Sequence, residues 1–221
     1  MAIFKNTPPI VTDGLVLAVD AANPKSYISG SITWTNLITT VNGTLVSGPT
    51  YSTTYGGGIT CDGIDDSINF NNDIVTQFPA TSSWSFIITT ELLSQNLPYP
   101  SILSKGNSTT SGILVFYYSS GSVIFKHNNV QLNPITVPMN KPFQYVVTYS
   151  GTGSVKIYLN GVYKVTGSPI VSTDTGSFLA IGSGDSYANI RTYNFLKYNK
   201  ELTPQEVLQN YNALKTRFNL T

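Results

Sequence analysis

Three carboxylates crowd five positions of one short stretch, CDGIDDSINF, at Asp62, Asp65 and Asp66. The 221-residue chain has only eleven acidic residues, so this is where acid chemistry or cation binding would concentrate. Three readings compete: a metal site, half of a catalytic pair, or a polar turn between two strands. The spacing lacks the alternating aspartates and terminal bidentate glutamate of an EF-hand. Asp62-Gly63 is a strong turn dipeptide, and short carboxylates readily accept backbone N–H groups inside such a turn. A strand-to-strand turn is the leading reading. A structural calcium that borrows oxygens from a neighbouring loop is the alternative, and no cofactor is otherwise required.

Other catalytic constellations are hard to assemble. Glycoside hydrolysis needs two carboxyl groups placed across one bond. The glutamates are Glu91, Glu201 and Glu206. Glu206 falls in a helix cap, Glu201 lies just before that helix, and Glu91 alternates outward on its strand without an acidic neighbour. Nucleophilic catalysis needs a base beside the nucleophile. The single histidine, His127, is expected to flank a surface turn, and no Gly-x-Ser-x-Gly elbow occurs. One His and one Cys fall short of a zinc site. The lone Cys61 is expected to be a small buried hydrophobe. GSGDS (182–186) follows a strand without opening a helix, so it does not read as a phosphate loop. The expectation is that the chain is not an enzyme.

The elements that would position these residues are strands. Hydrophobic residues make up 41% and aromatics 12%, but charged residues only 10%, well under the usual quarter or so. Period-two alternation recurs. SWSFIITTEL sets Trp84, Phe86, Ile88 and Leu92 on one face and Ser85, Thr89 and Glu91 mostly on the other. PFQYVVTYS sets Phe143, Tyr145, Val147 and Tyr149 on one side. In SVKIYLNGVYKV, Asn160-Gly161 suits a type I′ hairpin turn. Further strands are expected at GLVLAV, GTLVS, GGITC, SINF, SILSK, GILVFYY, SVIFK, FLAIG and NIRTYNF. The pattern predicts an all-β sandwich of two antiparallel sheets. One amphipathic helix is expected over 203–218, with Thr203 as N-cap, Pro204 at N1 and Glu206 at N3. Its apolar stripe is Val207, Leu208, Tyr211, Leu214 and Phe218. Residues 1–12 read as an extended arm and 13–221 as one domain.

Composition also excludes partners. The net charge is +1 and there is no Lys/Arg run, so bulk electrostatics do not draw this surface to nucleic acid or anionic lipid. No stretch approaches the roughly 18 apolar residues of a membrane span. MAIFKNTPPIV lacks the apolar core of a signal peptide.

DGLVLAVDAANPKSY, TWTNLI, NGTLVSGPTY and GGGITCDGIDDSINF, with the closing NIRTYNFLKYNKELTPQEVLQNYNALKTRF, resemble the laminin G-like branch of the concanavalin A-like jelly rolls. The resemblance covers both termini and most of the chain. It implies a two-sheet antiparallel jelly roll with a C-terminal helix. The sub-type is similar to modules in virion proteins of tailed bacteriophages, which serve as capsid decorations or as tail and fibre components. Two departures bear on metal. Where the family often has an Asp-Glu pair before the closing strand, this chain has Ala188 and Asn189. Where it has an aromatic after Asp-Asp, this chain has Ser67. The first weakens a metal site near Asp20.

Two functions follow as expectations. The first is a structural virion protein on the particle exterior, made in the host cytoplasm. Its partners would be other virion proteins and further copies of itself, three-fold by analogy with phage appendages. GILVFYYSS, apolar on both faces, and the extended arm would supply contacts. The second is a carbohydrate-binding module that recognises surface glycans. Fourteen tyrosines offer flat stacking surfaces, with Tyr51, Tyr55, Tyr99, Tyr117 and Tyr118 the candidates. An aromatic row beside Asn or Asp at one loop rim would favour this second reading.

Overall fold

The computed structural model describes residues 8–94, 99–106, 112–118, 121–127, 130–168 and 178–221; for Leu114, Phe116, Tyr117 and Tyr118 it describes the backbone alone. The strands are β1 (Leu15–Asp20), β2 (Thr33–Trp34), β3 (Gly43–Val46), β4 (Thr50–Ser52), β5 (Gly58–Asp62), β6 (Ser67–Asn71), β7 (Trp84–Ser94), β8 (Ser101–Lys105) and β9 (Ile113–Tyr118). They continue as β10 (Ser122–His127), β11 (Val130–Gln131), β12 (Ile135–Thr136), β13 (Phe143–Tyr149), β14 (Val155–Leu159), β15 (Val162–Gly167), β16 (Phe178–Ile181) and β17 (Asn189–Tyr198), before helix α1 (Pro204–Leu214).

Two antiparallel sheets form among the described residues. One runs β15-β14-β13-β7-β17-β5-β4, with β1 also paired to β17. The other runs β11-β10-β9-β8-β16-β6-β3-β2, with β12 paired to β10. Between them lies the main core, in which Trp34, Phe70, Trp84, Phe86, Phe125 and Phe195 are essentially inaccessible to solvent. The two-sheet sandwich and its single C-terminal helix are as the sequence predicts.

The first sheet is covered on its outer face as well. Tyr193, Leu196 and Tyr198 of β17, Ile87 of β7 and Val146 of β13 pack beneath Val207, Leu214 and Phe218. Residues 8–12 lie along the helix: Gln209 Nε2 donates to the Pro9 carbonyl and the Val11 N–H donates to Asn210 Oδ1. Every residue of β13 is buried, as are the first nine of β7. So Ser85, Thr89 and Glu91 do alternate away from the core, but into a second buried layer rather than into water.

Local choices follow from known chemistry. Thr203 and Glu206 form the reciprocal capping box, with Pro204 at N1. The regular helix ends at Leu214, shorter than the expected span, and Leu208 faces outward, 48% exposed. Asn160 and Gly161 both take positive φ, 50° and 75°, as a type I′ turn requires. His127 is fully buried, not on a surface turn, because β10 pairs it with Ile113 on one side and Val130 on the other.

Phe218 is fully buried, with its ring 5.4 Å from that of Tyr193. Phe218→Ala is expected to cost about 3–5 kcal/mol, measured by urea unfolding, because it opens the layer that seals the sheet.

Candidate functional site

The Asp62–Asp66 turn carries the chain from β5 in the first sheet across to β6 in the second. Asp62 Oδ1 accepts from the Ile64 N–H at 2.8 Å, and Asp66 Oδ2 accepts from the Asp62 N–H at 3.1 Å. Gly63 takes φ +80°, and a Cβ there would lie 2.8 Å from the Asn189 backbone nitrogen, so the position demands glycine. Ligand oxygens of Asp62, Asp65 and Asp66 lie within 4.8 Å of one another, so these three could hold a cation. Asp62 and Asp65 are exposed and Asp66 is buried. Burial, and then the neighbouring Asp62 and Asp65 charges, push the Asp66 carboxyl above its ordinary value, against the pull of its backbone hydrogen bond.

Two other loops meet this turn. Asn189, at the start of β17, sits opposite Asp62 in register. The Ser101 N–H donates to the Ser186 carbonyl, and the Asp185 N–H donates to Ser101 Oγ, each at 3.0 Å. Residues 99–101 and 182–189 are thereby tied into one rim beside the aspartates. Tyr99 (49% exposed), Tyr187 (37%) and Ile64 (71%) stand on it. The loop sequences 46–50, 62–66, 94–101 and 182–189 contain Asp62, Asp65, Asp66 and Asp185 and no Lys or Arg.

The structure divides the expected tyrosines. Tyr99 is on this rim. Tyr51 packs against the core, its ring 5.4 Å from that of Tyr27. Tyr55 packs on the outer layer, 6.3 Å from the Tyr193 ring. Tyr117 and Tyr118 lie on β9 by backbone, and their side chains are outside the described residues. Tyr187 and Asp185 escaped sequence reasoning. The only signal was a Gly/Ser loop after a strand, legible as a site only once Ser101 pins it beside Asp62.

Elsewhere, Asp20 is held by Arg217, whose two terminal nitrogens reach its two oxygens at 2.6 and 3.0 Å. It therefore anchors the chain beyond α1. Glu91 is 4% exposed, contrary to the outward reading. Its Oε2 accepts from Arg191 at 2.8 Å and from the Tyr193 hydroxyl at 2.7 Å.

No family model matches the chain, and no curated protein matches it. Among solved structures, the chain is similar to the sialidase of Trypanosoma rangeli in complex with the inhibitor DANA, 14% identical with a TM-score of 0.74, over 98% of this chain and 36% of that one. It is also similar to the binding domain of Paraclostridial Mosquitocidal Protein 1, 14% identical with a TM-score of 0.72, over 90% of this chain and 52% of that one. The binding domain of botulinum neurotoxin serotype G is 15% identical with a TM-score of 0.67, over 89% of this chain and 50% of that one. The chain thus spans about a third of the sialidase and about half of the toxin domains.

At such identities the likeness shows the fold: a concanavalin A-like β-sandwich. It does not extend to the virion origin that the terminal motifs imply. The expectation that the chain is not an enzyme is overturned, because enzymes stand among the structures that share its fold, the chain spanning about a third of their length. That expectation rested on the catalytic constellations missing from the sequence: a carboxylate pair, a nucleophile beside a base, a zinc set and a phosphate loop.

Two measurements probe this region. Removing Arg191 strands a buried carboxylate, so Arg191→Met is expected to cost about 3–5 kcal/mol in urea unfolding, and Glu91→Gln clearly less. The folded protein holds the Asp66 proton more tightly than the unfolded chain does, so stability falls as pH rises from the ordinary carboxylate value through the raised one. Asp66→Asn keeps an oxygen acceptor and is expected to raise Tm at pH 7, with the gain shrinking in acid. The same pair tests the calcium expectation. A calcium-dependent rise in Tm in the wild type, absent in Asp66→Asn, supports it; equal responses refute it.

Proposed function

We propose that this chain is a glycan-recognition module whose contact surface is the rim of Tyr99, Tyr187, Asp62, Asp65 and Asp185. The observation that carries the reading is the exposure of Tyr99 and Tyr187 on loops pinned beside these aspartates. Tyrosine rings present a flat apolar face to the C–H side of a pyranose and a hydroxyl to its rim. Carboxylates accept hydrogen bonds from sugar hydroxyls, and ionised acceptors make the stronger bonds. Tying residues 99–101 to 182–189 lowers the ordering cost of binding. The neighbours lend support: two are toxin binding domains, and one sialidase structure holds sialic acid. The virion-appendage reading rests on the terminal motifs alone, and the neighbours add nothing to it.

The charge of the rim narrows the ligand. The exposed Asp62 and Asp65 carboxylates of the rim repel an anionic sugar. Neutral or amino sugars suit this surface better than sialylated ones.

On a glycan array, neutral glycans are expected to bind more tightly than their sialylated forms. Tyr99→Ala and Tyr187→Ala are each expected to weaken binding by about five- to tenfold, in line with roughly 1 kcal/mol for one aromatic contact. Unchanged binding in both variants would remove the rim from the reading.

A further inference from the structure

Lys105, the last residue of β8, is fully buried. Lysines are rarely buried so deeply. β8 pairs it with Ile113 of β9 on one side and with Leu179 of β16 on the other, and both partners are buried members of the main core. Directly opposed residues share a face of the sheet, so the lysine stem leaves the backbone on the core side. Its Nζ donates to Asn72 Oδ1 at 2.8 Å. Asn72 follows the end of β6, and the strand order β8-β16-β6 puts β16 between the two residues. A buried amine therefore touches a side-chain amide that belongs to a different strand.

Desolvation favours an uncharged amine, which is the nucleophilic form of lysine. The electrophile within reach is Asn72 Cγ, one bond beyond the oxygen that Lys105 already contacts. Holding the two groups together removes most of the entropic cost of their encounter. We propose that Lys105 and Asn72 join in an intramolecular isopeptide bond. Lys105 Nζ attacks Asn72 Cγ, and the Nζ–Cγ bond forms as the Cγ–Nδ2 bond breaks. The lysine ammonium keeps one of its three hydrogens. The other two pass as protons to the departing nitrogen, which leaves as ammonium. Atoms and charge balance without any further reactant. Asn72 is exposed, so the leaving group has a way to solvent. The reaction also replaces a buried charge with a neutral amide, which the low-dielectric surroundings favour.

The bond would tie β8 to the end of β6 across β16. It would also close a loop containing all of β7, which constrains the unfolded chain in the way a disulfide does. This cross-link is separate from the rim and does not rest on its glycan reading.

The test is intact-mass spectrometry of the folded full chain, followed by peptide mapping. The wild type is expected to be one ammonia lighter than its sequence, with a branched peptide joining Asn72 to Lys105. Lys105→Met and Asn72→Ser should each show the full mass of their sequences. Asn72 is exposed, so Asn72→Ser opens no core cavity and keeps the test decisive should Lys105→Met fail to fold. A succinimide at Asn42-Gly43 or Asn160-Gly161 also lacks one ammonia. Mild alkali reopens a succinimide and leaves an isopeptide intact, so the deficit is expected to survive alkali. Full mass in the wild type would overturn the proposal. So would a deficit that alkali removes, or one that persists in Asn72→Ser.

Discussion

The central strands β7, β13 and β17 are sandwiched twice. On one side Phe86, Ile88, Val147 and Phe195 meet the second sheet; on the other, Ile87, Val146, Tyr193 and Leu196 meet the helix layer. Burying one large apolar side chain yields about 1.5–3 kcal/mol, so both layers hold the same strands in place. The arrangement has a cost, because polar residues of the outer face become buried as well. Ser85 meets it with the Lys200 carbonyl and the Leu202 N–H. Glu91 meets it with Arg191 and Tyr193. The helix is therefore part of the sheet's solvation problem and not an appendage on a finished sandwich.

Much of this was legible in the sequence. Alternation marked β7 and β13, and Asn160-Gly161 and the Thr203–Glu206 box fixed their turn and cap through local chemistry alone. The second layer was not legible. Period two tells that Glu91 and Thr89 share a face, but not whether that face meets water or a helix. The stripe at Val207, Leu214 and Phe218 implied a covered surface without saying which strands it covers. Short pairings such as β2, β4, β11 and β12 were missed because two or three residues carry no periodicity.

The rim shows the same limit at the level of function. Asp62, Asp65 and Asp66 are conspicuous because three acids share one turn, and Tyr99 is one tyrosine among fourteen. What joins them is long-range. Ser101 bonds to residues 185 and 186, and β17 brings Asn189 opposite Asp62. No local pattern encodes those links, so Tyr187 became a candidate only through the contacts of its neighbours.

The register of Asn189 against Asp62 also bears on the acid cluster. This is a position where the resembled family often has a carboxylate, and here an amide stands there, donating to Ser94 Oγ at 2.8 Å. A carboxylate at that point would add a fourth negative charge to the turn and favour a cation to balance it. With the amide, the turn closes on hydrogen bonds of its own, from the Ile64 N–H to Asp62 and from the Asp62 N–H to Asp66. A cation at these aspartates would then compensate charge rather than shape the loop. The rim's geometry follows from backbone pairing and glycine placement, which leaves its exposed carboxylates at Asp62 and Asp65 available to face a ligand.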